Sequence, residues 1–351
     1  MRRFLVSGLF DSRLKIATPN NPEGRTEYVN PSGFIYFEKL LAITVSSLLL
    51  YFIHSIYTNL MKKLPFSLLC ALLGLSGFSQ TVNPTLSDPN PPAEIPDMKL
   101  VWNDEFNNTG KPNPEFWKYE KGFVRNEELQ WYQEDNANCA NGVLLIEGRR
   151  EEIPNPNFKA GSSNWRANRE TAQYTSSSIN TNGQKQWLYG RFEIRARIDT
   201  TLGSWPAIWT LGIEKQWPSN GEIDIMEFYR VDNVPTILAN VAWGTEKQYS
   251  AQWHTERIPY AHFLDKDPNW HKKFHIWRMD WTSEYIKLYL DDELLNTTLL
   301  SETVNPDGFN PFKQPHYLLL NLAIGGQGGN PDKSSFPIRY EVDYVRVYQE
   351  K

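Results

Sequence analysis

From residue 99 onward the chain is broken into short apolar runs of period two, separated by turn residues, and no segment sustains a helical period. The cleanest run, 190–198 (GRFEIRARI), puts Phe192, Ile194, Ala196 and Ile198 on one face and Arg191, Glu193, Arg195 and Arg197 on the other. Similar runs occur at 100–106, 143–149, 207–211, 222–228, 237–243, 274–281, 285–290, 317–322 and 340–348. The run at 285–290 enters Asp291-Asp292 and leaves through Glu293-Leu294-Leu295, which predicts a tight hairpin. Many half-apolar strands cannot all bury one face in a single sheet. The expected fold is all-β, with two antiparallel sheets packed as a sandwich.

One run departs from simple alternation. Gly221-Glu222-Ile223-Asp224-Ile225-Met226-Glu227-Phe228 sets three acids among apolar residues. Glu222 and Asp224 share a face, but Glu227, five residues from Glu222, falls on the other in a regular strand. One extra residue, a bulge near Ile225 or Met226, returns it to the acid face. The two glutamate Cα atoms are then roughly 13 Å apart. Side chains leaning together across a concave sheet close that gap toward the ~5–5.5 Å carboxyl separation used by retaining glycosidases. The bland alternative is a half-exposed strand with a solvated acidic face. It leaves Trp205, Trp209 and Trp217 just upstream unexplained, and crowding three like charges raises at least one pKa at a cost usually met at functional sites.

In these residues the chain resembles glycoside hydrolase family 16. The E-I-D-I-M-E run, with its extra residue, is typical of laminarinase-like members. Supporting stretches are Trp102–Phe106, Asn126-Glu127-Glu128-Leu129-Gln130, Tyr189-Gly190-Arg191-Phe192-Glu193, Trp205-Pro206-Ala207-Ile208-Trp209 and Val342–Tyr348. The resemblance covers nearly all of 99–350. It implies a jelly-roll, concanavalin-like sandwich with a concave substrate cleft. It further implies Glu222 as nucleophile, Glu227 as general acid/base, and Asp224 hydrogen-bonded to the nucleophile. Trp205 and Trp209, on one face with Ala207 between them, match sugar-stacking positions of the family. Asn126, Glu128 and Arg195 are candidates for hydroxyl contacts, and Trp243, on a strand expected beside the catalytic one, for a further platform. Trp277, Trp281 and His275 read as structural. Catalysis needs no cofactor; the family often carries a calcium ion away from the cleft, for which Glu105, Gly142 and Asp343 are the candidate ligands by position.

The implied activity is endo-hydrolysis of internal β-1,3 bonds in laminarin-like glucans. Mixed-linkage glucans or galactans (agar, porphyran or mucin-type chains) are the alternative substrates, and the inserts 154–168 and 249–269 are where that choice is expected to lie. A lectin-like sandwich that only binds sugar is the alternative from another class, opposed by the intact acid set. A net charge of -5 gives no electrostatic reason to expect nucleic acid. No His/Cys cluster has metal-ligand spacing, and Gly325-Gly326-Gln327-Gly328-Gly329 reads as a flexible loop that opens no helix. We expect a polysaccharide as partner, no obligate protein partner and a monomer.

The N-terminal part divides differently. Residues 61–79 have the charged start, apolar run and small residues of a secretory signal. Met61 is therefore the expected start of a secreted or cell-envelope protein, with 1–60 an upstream extension that is either untranslated or a membrane segment at 40–57. Cys70 would leave with the signal, or else carry a lipid, so the mature chain would hold the single thiol of Cys139. The proline-rich stretch 80–98 reads as an extended linker and 99–351 as one catalytic domain.

Overall fold

The computed structural model describes residues 83–351. The expectations for 1–60, for the signal-like stretch 61–79 and for Cys70 lie outside the described residues. The body is two antiparallel sheets. One holds seven strands in the order Ala251–Pro259, Val234–Gly244, Glu222–Val231, Ser204–Gly212, His316–Ile324, Ser178–Asn180 and Lys118–Tyr119. The other runs Glu293–Leu299, Tyr285–Leu290, His275–Trp281, Gly190–Ile198, Ile338–Glu350, Val143–Gly148 and Ala137–Ala140, with Met98–Asp104 also paired to Ile338–Glu350. We call the first the acid sheet and the second the outer sheet.

All ten runs read from the sequence are strands, several of them longer than expected. The alternation decides what they bury. Phe192, Ile194, Ala196 and Ile198 face inward, with Trp277, Val345 and Val347 beside them; Ile208, Ile223, Ile225, Met226 and Phe228 come in from the acid sheet, all in one continuous core. Trp277 and Trp281 are core as expected, and His275 stacks on Trp270 at 3.9 Å. Burying side chains of this size stabilises by roughly 1.5–3 kcal/mol each, so the sandwich needs no disulfide; Cys139 is free and buried.

Two-residue turns set the registers. Asp291 and Asp292 both take positive φ (46° and 67°) between Tyr285–Leu290 and Glu293–Leu299, as a right-twisted hairpin requires. Asp232 and Asn233 (50° and 64°) make the same connection from the acid-bearing strand to Val234–Gly244.

The structure departs from the sequence reading at three places. Within the insert expected as a loop at 249–269, Ala251–Pro259 is a nine-residue edge strand. Its polar residues on both faces hid it, since an edge strand does not have to show an apolar face. The described part of the proline-rich stretch is extended but not free. Arg195 donates to the Leu86 and Asn83 carbonyls (2.8 and 3.3 Å), the Phe274 amide to the Pro84 carbonyl (2.6 Å), and the Asp88 amide to Asp343 Oδ2 (3.0 Å). These bonds strap it to the outer sheet. The glycine loop is not slack either: Gly325 donates to Gly203 O (2.9 Å), and a Cβ on Gly326, at φ 53°, would meet the Trp205 ring at 3.2 Å.

Candidate active site

The acids lie where the bulge puts them. Glu222 pairs with Leu211 and Asp224 with Trp209, but the register then shifts and Glu227 pairs with Ala207. The same irregularity appears against the other neighbour, where Asp224 faces Asn240 and Glu227 faces Leu238. Ile225 and Met226 are both fully buried in the core, so two consecutive side chains point inward and Glu227 is returned to the face of Glu222 and Asp224.

Each carboxyl group is held. The Trp217 indole N–H donates to Glu222 Oε2 (2.6 Å) and the Trp205 indole N–H to Glu227 Oε1 (2.9 Å). Asn240 Nδ2 donates to both Asp224 Oδ2 (2.9 Å) and Glu227 Oε2 (3.0 Å). Asp224, only 2% exposed, lies within hydrogen-bonding reach of both glutamates, which are themselves partly exposed.

Electrostatics then separates the three acids. Burial, with Glu227 and Glu222 on either side, drives Asp224 well above the usual carboxylate range, which favours its proton-bearing form beside Glu222. Burial also raises Glu222, opposed by the bonds from Trp217 and Asp224 and by the positive charge of Arg125. Glu227 is pushed up to about 7, chiefly by burial, with the Trp205 bond pulling the other way and the Glu222 charge adding to the rise. Glu227 can hold a proton at neutral pH, while the groups around Glu222 oppose the rise that burial imposes on it; acid-assisted displacement at an acetal needs such a proton donor beside an ionisable nucleophile. A pH profile follows from this. If Glu227 supplies the proton, kcat/KM falls by about tenfold per pH unit above a limb near 7, and loss of that limb in Glu227→Gln checks the assignment.

The other candidates distribute unevenly. Trp205 and Trp209 are on the acid face but only 9% and 7% exposed, and the Trp209 indole N–H is bound to Asn321 Oδ1 (2.7 Å). Most of each ring is covered, and both line the floor beside the acids. Asn126 is exposed and donates to Glu128 Oε1 (3.3 Å), while the buried Glu128 accepts from Gln130 (2.6 Å) and adds to the negative potential at Glu227. Two expectations are corrected. Arg195 belongs to the outer sheet, where it is buried against Asp343 and stacks on Phe274 at 4.8 Å, so it cannot touch a ligand in the cleft. Trp243 packs on the core: its neighbour Ala242 faces Glu222, and alternation turns Trp243 to the opposite side.

Residues to which the sequence reading gave no individual role complete the site. Trp217, 37% exposed, is the aromatic that reaches Glu222, and Tyr249, whose hydroxyl lies 3.5 Å from Gln216 of the same loop, is also exposed. The insert after strand 143–148 packs Trp165 and Ile153 against Phe123, Trp131 and Ala172. It is pinned by Arg169, which donates to the carbonyls of Glu128 (2.6 Å) and Glu127 (2.8 Å). It thus flanks the segment that carries Asn126 and Glu128.

Glu105, Gly142 and Asp343 line one cavity of about 470 Å³ with Ser87, Asp88 and Asn107, remote from the acid face. Both carboxylates already have arginine partners, Arg346 for Glu105 (2.7 and 2.9 Å) and Arg195 for Asp343. Among the described residues no cluster of three His, Cys, Asp or Glu is arranged to hold a metal. The donor set would offer a hard cation the Asp88 carboxylate and uncharged oxygens such as the Gly142 carbonyl.

Residues 151–346 match the model of a family described as "Glycosyl hydrolases family 16". A beta-glucanase of Rhodothermus marinus is 36% identical over 73% of this chain and 87% of its own length. A glucan endo-1,3-beta-glucosidase A1 of Niallia circulans is 31% identical over 76% of this chain but only 40% of its own length. Among solved structures, one from work on endo-acting O-glycanases with which the human gut microbiota initiate mucin breakdown superposes with a TM-score of 0.67. It is 33% identical, over 74% of this chain and 94% of that one.

Proposed function

The chain belongs to glycoside hydrolase family 16, and from that premise we propose that it is a retaining endo-glycosidase cutting internal β-1,3-glucosidic bonds of laminarin-like glucans. The observation that carries this is the bulged strand, which gathers Glu222, Asp224 and Glu227 on one face, with Glu227 able to hold a proton at neutral pH.

In the proposed cycle Glu222 attacks the anomeric carbon while Glu227 protonates the departing oxygen. Asp224, protonated between them, donates to Glu222 and so favours its ionised form. Once the glycosyl ester forms, Glu222 carries no charge and the acidity of Glu227 increases; Glu227, left ionised by the first step, takes a proton from a water that attacks the anomeric carbon, breaking the ester and releasing Glu222 as a carboxylate. Asn240 and the Trp205 indole hold Glu227 in both roles. Two glutamates flanking one shared carboxyl group are closely spaced, which favours the retaining course over one that seats a water between them.

A second reading, endo-cleavage of mucin-type O-glycans, draws on the structural likeness noted above. A reducing-end assay on laminarin, barley β-glucan, lichenan, agarose and mucin O-glycans separates the two, and ¹H NMR of the first-formed anomer tests retention. Binding to these polymers without cleavage of any would sink the hydrolase proposal in favour of a lectin. Polymers of this size suit an enzyme outside the cytoplasmic membrane, in keeping with the signal-like stretch 61–79.

We also propose calcium as a stabilising ion of the cavity at Gly142, with no part in the chemistry. Because most of its donors would be uncharged, EDTA is expected to lower Tm by only a few degrees and to leave kcat at 25 °C unchanged. A loss of turnover under EDTA with Tm unmoved would count against it.

A further inference from the structure

We propose that Arg125 is a positioning residue for the reaction, fixing the Trp209 indole in the floor of the cleft and setting the charge felt by Glu222. The inference rests on the glycosidase reading above. Arg125 lies in the segment between strands Lys118–Tyr119 and Gln130–Tyr132. Its guanidinium centre sits 5.0 Å from the Trp209 ring centroid and 5.9 Å from that of Tyr132. Trp209 is the cross-strand partner of Asp224, so the cation stands one strand away from the acids, on their face of the sheet.

The way Arg125 is held separates it from an ordinary surface ion pair. It bonds Glu120, whose Oε2 also accepts from the Ser178 hydroxyl (2.6 Å). Its Nη1, by contrast, is buried and has no hydrogen-bond partner. A buried unpartnered donor is destabilising, so the guanidinium is kept in place by the Glu120 ion pair together with its contacts to the two rings. Trp209 is thereby gripped twice, at its edge by Asn321 and on its face by Arg125, and Asn321 Nδ2 in turn donates to the Tyr132 hydroxyl (3.1 Å).

The charge has a direction of action. Glu222 shares its strand with Asp224 and Glu227 and receives the Trp217 indole N–H. Its partners on the adjacent strands, Leu211 and Ala242, are uncharged. Tyr317 lies in its field from strand His316–Ile324, and Arg125, with Glu120 and Glu128 behind it, faces it from beyond. Among these groups Arg125 alone favours the anion at Glu222 by its charge.

The test is the acid limb of kcat/KM, set by protonation of the nucleophile, read beside a ¹³C-carboxyl NMR titration of Glu222 that needs no turnover. Arg125→Met is expected to move both upward by at least half a pH unit and to raise KM severalfold. Arg125→Lys keeps the charge but not the planar stack, so it should restore the limb and leave KM raised. Glu120→Gln, which removes the partner's negative charge, should move the limb the opposite way. A proportional loss at every pH with the limb within 0.2 unit of wild type in all three variants would show a purely structural residue and overturn the proposal. Should Arg125→Met not fold, the Lys and Gln variants decide alone. A wild type inactive on every glycan whose Glu222 titration still shifts in these variants would sink the hydrolase reading and leave the charge effect standing.

Discussion

Replacing Glu222 by Gln is expected to lower kcat on the natural polymer by at least ~10³, and replacing Glu227 by Gln by ~10²–10⁴, the range for loss of a positioned proton donor. The two are separable by leaving group. An aryl glycoside whose phenolate departs without protonation should recover much of the first step in Glu227→Gln and none in Glu222→Gln, because only the latter lacks the attacking atom. Both variants should keep the wild-type far-UV CD spectrum, since an amide fits the same space. Stability should move opposite to activity. Glu227 has a raised folded-state pKa, so its contribution to stability is fully present below the unfolded value near 4.5 and is lost as pH rises through about 7. Glu227→Gln is therefore expected to be the more stable protein at pH 8, by on the order of 2 kcal/mol, and to match wild type near pH 4. Equal Tm values at both pH values, or turnover within tenfold of wild type, would remove Glu227 from the role proposed for it.

Asp224 carries the second large effect. It is the most deeply buried of the three acids and the one driven furthest toward its neutral form, between Glu222 and Glu227. Asp224→Leu removes the donor to Glu222 and leaves Asn240 Nδ2 with a single acceptor, so kcat should fall ~10²–10³, the usual consequence of deleting one preorganised donor. Asp224→Asn retains an N–H donor and should lose markedly less. Steady-state kinetics of the pair on one substrate is the check. If Asn and Leu cost the same, Asp224 acts through its charge or its shape and not through a donated hydrogen bond.

How much of this was legible beforehand depends on the range of the interaction. The strands and the Asp291-Asp292 hairpin were, because both are written in period and turn chemistry over a few residues. The bulge was legible for the same reason: five residues from Glu222 to Glu227 cannot share a face without it. Arg195 was misplaced because alternation says which face of its own strand a residue occupies, and not whether that strand belongs to the acid sheet or the outer one. Trp243 needed the pairing of Ala242 with Glu222, which no local pattern contains. Arg125 and Glu120 belong to one segment, but Trp209 and Asn321 come from strands far along the chain, and the four meet only after the sheet has formed. The Trp217 bond depends on the path of a turn, and turns leave little periodic signal.

The paired inward side chains at 225 and 226 have a further consequence. In most ribbons the loss of a single residue inverts everything downstream. Here the odd count between the glutamates and the surplus residue cancel, so a chain missing one of the two would run straight and still show both acids to the same side. This ribbon can therefore be shortened by one residue at that point without exchanging inside for outside, provided the interior refills the vacated volume.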